Sequence, residues 1–512
     1  MRSCGAAHRV SVVAHAVRAA VVLAMLPTAV RAQAPSGLSL QTVVDAALTG
    51  NTQIRNEYLR AQGLRGEIVA RNAPFDLQMQ STVQQGRDKK AISLTQFGLE
   101  QSTSYQLAFV RQLRSGIRFS PTVQVTSAQY AVAGMPTTGS ASASLSVIMP
   151  LKYDRGGAVT NTAVRVAELD FETVQESWRA NVGIGVANTV NAYWTYLASV
   201  AGVAAQRDAE ARAQRLLDQT TELVAQQERA PSDLQQLRAT VAARRSARIL
   251  AEQAVDQARV QLGTLMGLHA IDVIKLAAPI TGFPEPIDVL TATPESMARL
   301  ETIARNLRPD LTAHRVSNRA WELELEEFRS AEQPLLNLNV NLGYEGFTQG
   351  PGYQHLVSPL YHNVPGLNAS VQLQYGLAIN NSAAHGRVMT EAASLEQQRI
   401  ALRDVERQVI TDVSVAALGV DRGARALHES ENAVALFRAT VENEQRKLQL
   451  GVNTLFDVLN AEDALTNALL TAINNRRNYA ISLASLRLAT GTLADVSGDV
   501  PRVDAARLLT QP

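Results

Sequence analysis

Two different hydrophobic periods alternate along this chain. In Leu336-Asn337-Leu338-Asn339-Val340-Asn341-Leu342-Gly343-Tyr344 every second position is apolar. Val371–Leu377 and Ser140–Val147 repeat the pattern, and Phe119, Val123 and Val125 alternate with Ser120, Thr122, Gln124 and Thr126. A period of two predicts strands with one apolar and one polar face. The polar face is Asn, Gln, Ser and Thr with few charges, which fits either a soluble sheet or a lipid-facing barrel with a wet lumen. Tyr344, Tyr353, Tyr361 and Tyr375, near strand ends, suit an interfacial girdle in the second case.

The rest of the chain has helical periodicity over unusual lengths. No proline interrupts the 72 residues from Ala158 to Arg229 or the 68 from Ala383 to Leu450. At about 1.5 Å per residue these spans reach roughly 110 and 100 Å, against about 10–14 residues for an ordinary helix. Leu402, Val405, Val409, Val413, Ala416, Val420, Ala424 and Leu427 recur at spacings of three and four, a seam for packing on neighbouring helices. Arg403, Glu406 and Arg407 fall between seam positions and read as a solvated face.

The chain also repeats itself. Asp233 and Asp457, Leu262 and Leu486, and Gly267 and Gly491 are all 224 residues apart, whereas Thr52 and Pro309 are 257 apart. Two copies of one unit are therefore expected, the first carrying 33 extra residues near Gly86–Arg118. Tyr105, Leu107 and Phe109 alternate there before the turn-like Leu113–Gly116, which predicts an added hairpin or a structured loop. The expected organisation is a signal peptide over 1–34, a first repeat over 35–267, a linker over 268–297, a second repeat over 298–493 and a tail over 494–512. In the first repeat strands fall at about 75–150 and long helices at 158–266; in the second, strands fall at about 335–379 and long helices at 383–490. The linker is marked by Pro279, Pro284, Pro286 and Pro294. Four to six strands cannot close a membrane barrel, and an open edge in lipid leaves backbone groups unpaired, so several chains must share one. Three chains of four strands give twelve if the extra segment is a loop, and eighteen if it adds a membrane hairpin; we expect twelve, on a long helical stalk.

Composition narrows the setting. Arg2, His8, Arg9 and Arg18, the apolar run Ala19–Leu26 and the small residues around Ala32 and Ala34 read as a secretory signal. The only cysteine is Cys4, within that leader, so disulfide and thiol chemistry drop out of the exported chain. Asn181–Gln206 carries no charge, but its Asn, Thr and Ser content is too polar for a membrane helix. The net charge of +1 implies no bulk attraction to nucleic acid.

These segments, in this order, resemble the TolC-like outer-membrane efflux protein family from about Leu38 to Leu493. The matching stretches are LSLQTVVDAALTGNTQIR, Arg308-Pro309-Asp310-Leu311, ALGVDRGARAL, LGTLMG, LATGTL and, most specifically, GVNTLFDVLNAEDAL from Gly451 to Leu465. The resemblance implies a mainly α fold with a β part: a long α-helical barrel plus a shared transmembrane β-barrel, built from two internal repeats and closed by trimerisation. It further implies a homotrimeric channel in outer-membrane lipid of a Gram-negative-type bacterium. Its helices would reach through the periplasm to an adaptor protein and an inner-membrane pump of RND or ABC type.

The break at GVNTLFDVLNAEDAL reads as a helix–turn–helix tip. Gly451 ends one helix, Thr454 caps the next, and Asp457 sits at its third position, where the helix dipole favours an acid. In the family this tip is the periplasmic aperture, so Asp457 is either one of three carboxylates around it or a simple cap-region charge. Asn460 and Asn453 stand where some members have an acidic and a basic residue. In the first repeat's tip, Pro231 is expected to end the helix and Ser232 to cap the next, with Asp233 following. The glycine is missing there and the turn looks shortened.

No catalytic, cofactor or metal constellation is expected. His355 and His362 read as residues of a surface loop, Glu326-Glu327 as a solvated face, and Trp178, Trp194 and Trp321 as packing residues. The function expected is a non-enzymatic exit duct for small toxic compounds or drugs. Heavy-metal efflux and type I protein secretion are the alternatives within that class, and a periplasmic coiled-coil structural protein or an exported enzyme the alternatives outside it.

Overall fold

The computed structural model describes residues 37–87, 99–130, 136–286, 293–350, 354–362, 366–495 and 501–512. The leader with Cys4, and Tyr353, lie outside them. Helices α1 (Leu40–Gly50) and α2 (Thr52–Arg71) lead into β1 (Gln78–Arg87), β2 (Leu99–Gln112), β3 (Arg118–Tyr130) and β4 (Thr138–Pro150). Helices α3 (Thr162–Ala225), α4 (Pro231–Leu265) and the short α5 (Ala270–Ile274) follow. The second unit runs α6 (Pro294–Leu307), α7 (Pro309–Ala331), β5 (Leu335–Gln349), α8 (Gln354–Val357), β6 (Asn368–Gly376), α9 (Ser382–Gln449) and α10 (Leu455–Ala489). The ends of α4 and α10 keep the 224-residue offset, and the starts of α2 and α7 the 257-residue one. Pro294, counted in the linker on sequence, is the first residue of α6, where a proline's missing N–H costs nothing.

All six strands form one antiparallel sheet in chain order, β1 to β6. This corrects the expectation of four strands per chain. The surplus over the second unit is the hairpin β2–β3, continuous with the rest of the sheet. Its partner β1, QMQSTVQQGR, is nearly all polar and carries little alternation to read.

The register segregates the two faces across the whole sheet. Val83 lies opposite Tyr105, Leu107 opposite Val123, Leu145 opposite Leu342, and Val340 opposite Val371. On the other face Gln106 meets Gln124, Gln124 meets Ser142, Ser146 meets Asn341, and Asn339 meets Gln372. Much of the apolar face is bare: Val83, Val371 and Leu373 are all more than 60% exposed. Among the described residues β1 and β6 each have a single strand neighbour, which leaves both edges of the sheet open.

Two large cores hold the helices, and a small one of Val441, Ala461 and Leu465 joins α9 to α10 nearer their tip. The seam residues Val409, Val413, Val420 and Leu427 of α9 are buried against Leu483 and Leu486 of α10 and Leu311 of α7, with Leu402, Val405, Ala416 and Ala424 beside them. The larger core surrounds the middle of α3. There Val182, Val186, Val190, Tyr193 and Trp194 are wrapped by α1, the end of α4, the linker and the C-terminal tail through Val503 and Leu508. Trp178 is buried there too, as a packing residue. The linker is pinned by Tyr193, whose hydroxyl donates to the Leu38 carbonyl at 3.1 Å and accepts from the Thr281 N–H at 3.0 Å. The uncharged stretch of α3 is thus the buried centre of a girdle. Among the described residues no helix is long and apolar enough to cross a membrane.

Candidate functional site at the helical tip

The two helix–turn–helix tips, α3–α4 and α9–α10, end at the same level of the fold. In the second, the Val452 N–H bonds the Lys447 carbonyl at 2.9 Å and the Gly451 N–H the Leu448 carbonyl at 3.1 Å, which closes α9. This requires a left-handed residue, and Gly451 supplies it at φ +70°. Asn453 staples the turn to α9 by donating to Glu444, at 3.0 Å to its carbonyl and 2.6 Å to its carboxylate. Thr454 and Asp457 then form a capping box. In it the Asp457 carboxylate accepts from the Thr454 hydroxyl at 2.6 Å and the Thr454 N–H at 3.0 Å. Those bonds hold the Asp457 pKa below its ordinary value. Hydrogen bonds from Lys447 and then Asn453 lower that of Glu444. Asp457 and Asn460 are both solvent-exposed at the start of α10.

The first tip differs from expectation in three ways. Its turn is not shortened: α3 and α4 are joined by as many residues as α9 and α10. Gln227 takes the left-handed place of the missing glycine, at φ +60°, with the same pair of closing bonds from Gln227 and Glu228. The cap position is Ala230, not Ser232; Pro231 opens α4 at its first residue instead of ending α3, and Asp233 follows in the first turn. Proline's fixed φ suits that first position, which moves the cap one residue upstream of it.

Contacts that the linear sequence does not reveal join the tips. Arg229 donates to the Leu448 carbonyl at 3.2 Å, tying the first turn to the end of α9. Higher up, Arg212 of α3 pairs with Glu462 of α10 at 2.6 Å, Glu462 also accepts from Gln445 of α9 at 3.1 Å, and Arg244 of α4 pairs with Asp463. Burial pulls the Arg244 guanidinium below its ordinary value. The arginines and their partners lie some 220–250 residues apart, and nothing in local sequence pairs them. A second feature was open to sequence reading. Leu450, Val452 and Phe456 are apolar residues in and beside a polar turn, and all three are at least 60% exposed. Their counterparts in the first tip are Gln226, Glu228 and Ser232.

Similarity to known proteins follows the same division. Residues 302–492 match the sequence profile described as outer membrane efflux protein. The outer membrane protein TolC of Escherichia coli K12 is 24% identical over 340 residues, 65% of this chain and 64% of that protein. The chain therefore aligns with less than two thirds of that relative's length. TolC of Vibrio cholerae is 26% identical over 204 residues, covering 40% of this chain and 45% of its own. Among solved structures, the CmeC outer membrane channel of Campylobacter jejuni superposes with a TM-score of 0.66 at 16% identity, covering 90% of this chain and 87% of CmeC. CusC gives 0.67 at 15%, covering 88% and 92%. At such identities these two structures speak for the fold. Residues 302–492 thus resemble the outer membrane efflux proteins, and the two offset-matched units, the six-stranded sheet and the paired long helices give the described residues the fold of the channels CmeC and CusC.

Proposed function

We propose that this chain is the outer-membrane exit duct of a tripartite efflux system, exporting small toxic compounds with a periplasmic adaptor and an inner-membrane pump. The observation that carries the reading is the sheet: an apolar face that is bare over much of its area, an Asn/Gln/Ser/Thr face and, among the described residues, two open edges. Such a sheet is satisfied in lipid only when its edges are closed by other copies. Three copies, the number the family resemblance implies, give eighteen strands around a polar lumen. The 64- and 68-residue helices, roughly 95–100 Å long, exceed any bilayer and continue the duct away from it. The outer helices α4 and α9 carry exposed Ile249, Leu250, Leu436 and Phe437, surface suited to packing against the next copy.

Three copies also bring three tips together. Asp457 then serves both as a local cap and as one charge of an anionic ring at the aperture. The exposed Leu450, Val452 and Phe456 form an apolar knob suited to the adaptor. Opening is a spreading of the tips, resisted by the Arg212–Glu462 and Arg244–Asp463 pairs and by Arg229.

The test is a photoreactive residue at Val452 in living cells. Capture of the adaptor of a proton-driven pump supports small-compound export. Capture of an ABC-transporter adaptor moves the cargo to proteins, and that of a metal-pump adaptor moves it to metal ions. Capture of outer-membrane or extracellular proteins alone contradicts the duct.

A further inference from the structure

The connection between β5 and β6 does not stand off the end of the sheet. Its residues 354–362, comprising α8 and a 3-10 turn over Ser358–Leu360, fold back onto one face. His355, expected on sequence to be a surface-loop residue, is buried, with its Nε2 2.8 Å from the Ser127 hydroxyl of β3. The Tyr344 hydroxyl of β5 donates to the Leu360 carbonyl at 3.3 Å. A Cβ at Gly139 would stand 1.8 Å from the His355 carbonyl oxygen, and one at Gly346 would stand 1.9 Å from that of Pro359. The segment therefore lies on the side to which Gly139, Ala141 and Gly346 direct their Cβ positions.

Side chains alternate along a strand, so that side also carries Leu145 and Val147 of β4 and Val340 and Leu342 of β5. It is the apolar face. Small residues occur where the segment crosses: Ser127, Gly139, Ala141 and Gly346, with Ala141 only 1% exposed beneath it. Further along the same strands the apolar face turns to Leu and Val and is uncovered. The segment's own outer side presents Val357 and Tyr361, 51% and 66% exposed, with the Tyr361 ring 4.8 Å from that of His362. The long helices join the sheet at its opposite end, through β4 to α3 and β6 to α9.

We propose that residues 354–362 form a collar on the outside of the barrel, where outer-leaflet acyl chains meet their headgroups, with Val357 and Tyr361 as its lipid contacts. This rests on the membrane-spanning reading above. The occupant follows from continuity: the exposed belt of Val371, Leu373 and Leu342 runs up to the collar, and a tyrosine with an apolar body and polar tip suits that boundary. The collar leaves the polar face, and so the pore mouth, uncovered.

Single cysteines at Val357, Tyr361, Val371 and Gln372, each bearing an environment-sensitive fluorophore, test this in phosphatidylcholine proteoliposomes of the assembled protein. The lipids carry nitroxides at shallow or deep positions, and iodide reports aqueous access. Val371 and Gln372 are neighbours on opposite faces of β6. The expected result is at least several-fold stronger quenching of the Val357 and Tyr361 labels by shallow nitroxide than of the Gln372 label, with Val371 quenched by deep nitroxide. If Val357 and Tyr361 respond only to iodide while Val371 stays lipid-quenched, the collar is wrong and the barrel stands. If Val371 too responds only to iodide, the membrane reading fails and the collar with it.

Discussion

Gly451 and Gln227 hold equivalent places in the two tips, and both are left-handed. Only one is a residue for which that conformation is free; for others it costs about 1–2 kcal/mol. Gln227→Gly is therefore expected to stabilise the first tip by about 1 kcal/mol, and Gly451→Ala to destabilise the second by a similar amount, read by hydrogen exchange of the turn amides. The second tip was legible because glycine, threonine and aspartate stand at the spacing that a helix end and a helix start demand. The first was misread because Gln227 carries no signature of positive φ and Ala230 none of a cap. For Asp457, cap and ring separate by experiment. Its pKa is depressed by the Thr454 hydroxyl and N–H, so its charge is present above the ordinary aspartate range near 3.9 and is lost only as pH falls through the lower folded value. The ring reading predicts a cation preference in planar bilayers that is flat from pH 7 down to about 5 and is reduced several-fold in Asp457→Asn. Unchanged selectivity in that variant leaves Asp457 as a cap alone.

At the scale of elements, periodicity did most of the work where packing is local and regular. The α9 seam was readable because its residues share one core with residues of α6, α7 and α10. Leu483→Ala, at a fully buried position facing that seam, is expected to cost about 2–5 kcal/mol, checked by chemical denaturation followed by helical circular dichroism. Strand β1 lies inside the strand region expected at about 75–150, but a glutamine- and serine-rich strand has little period to mark it singly. A pocket between α2, α3 and α7 gathers Asp170, Glu324 and Glu327. Burial raises the pKa of each, and Glu324 is raised further by Asp170, Glu391 and Glu327. A carboxylate whose folded pKa exceeds its unfolded one destabilises the fold once ionised, so stability rises as pH falls through that raised value. Glu324→Gln is accordingly expected to raise the thermal midpoint at pH 7 by about 1 °C and to lose that advantage near pH 4. An advantage equal at both pH values would assign the gain to something other than the charge.

The whole molecule makes sense only as part of something larger. The described residues of one chain offer an open six-stranded sheet with a largely bare apolar face, and long helices that carry exposed leucine, isoleucine and phenylalanine. The duplication, the family resemblance and the argument for a barrel shared between copies were readable in the sequence; the strand number was not settled there, because it turns on whether the extra residues pair in register with β1 and β4. The most direct measurement is an electron cryomicroscopy reconstruction of the detergent-extracted particle, in which copies and strands are counted. Three copies closing eighteen strands above a twelve-helix tube are predicted. Twelve strands, whether from two copies or from three with β2–β3 turned out of the wall, would contradict the account.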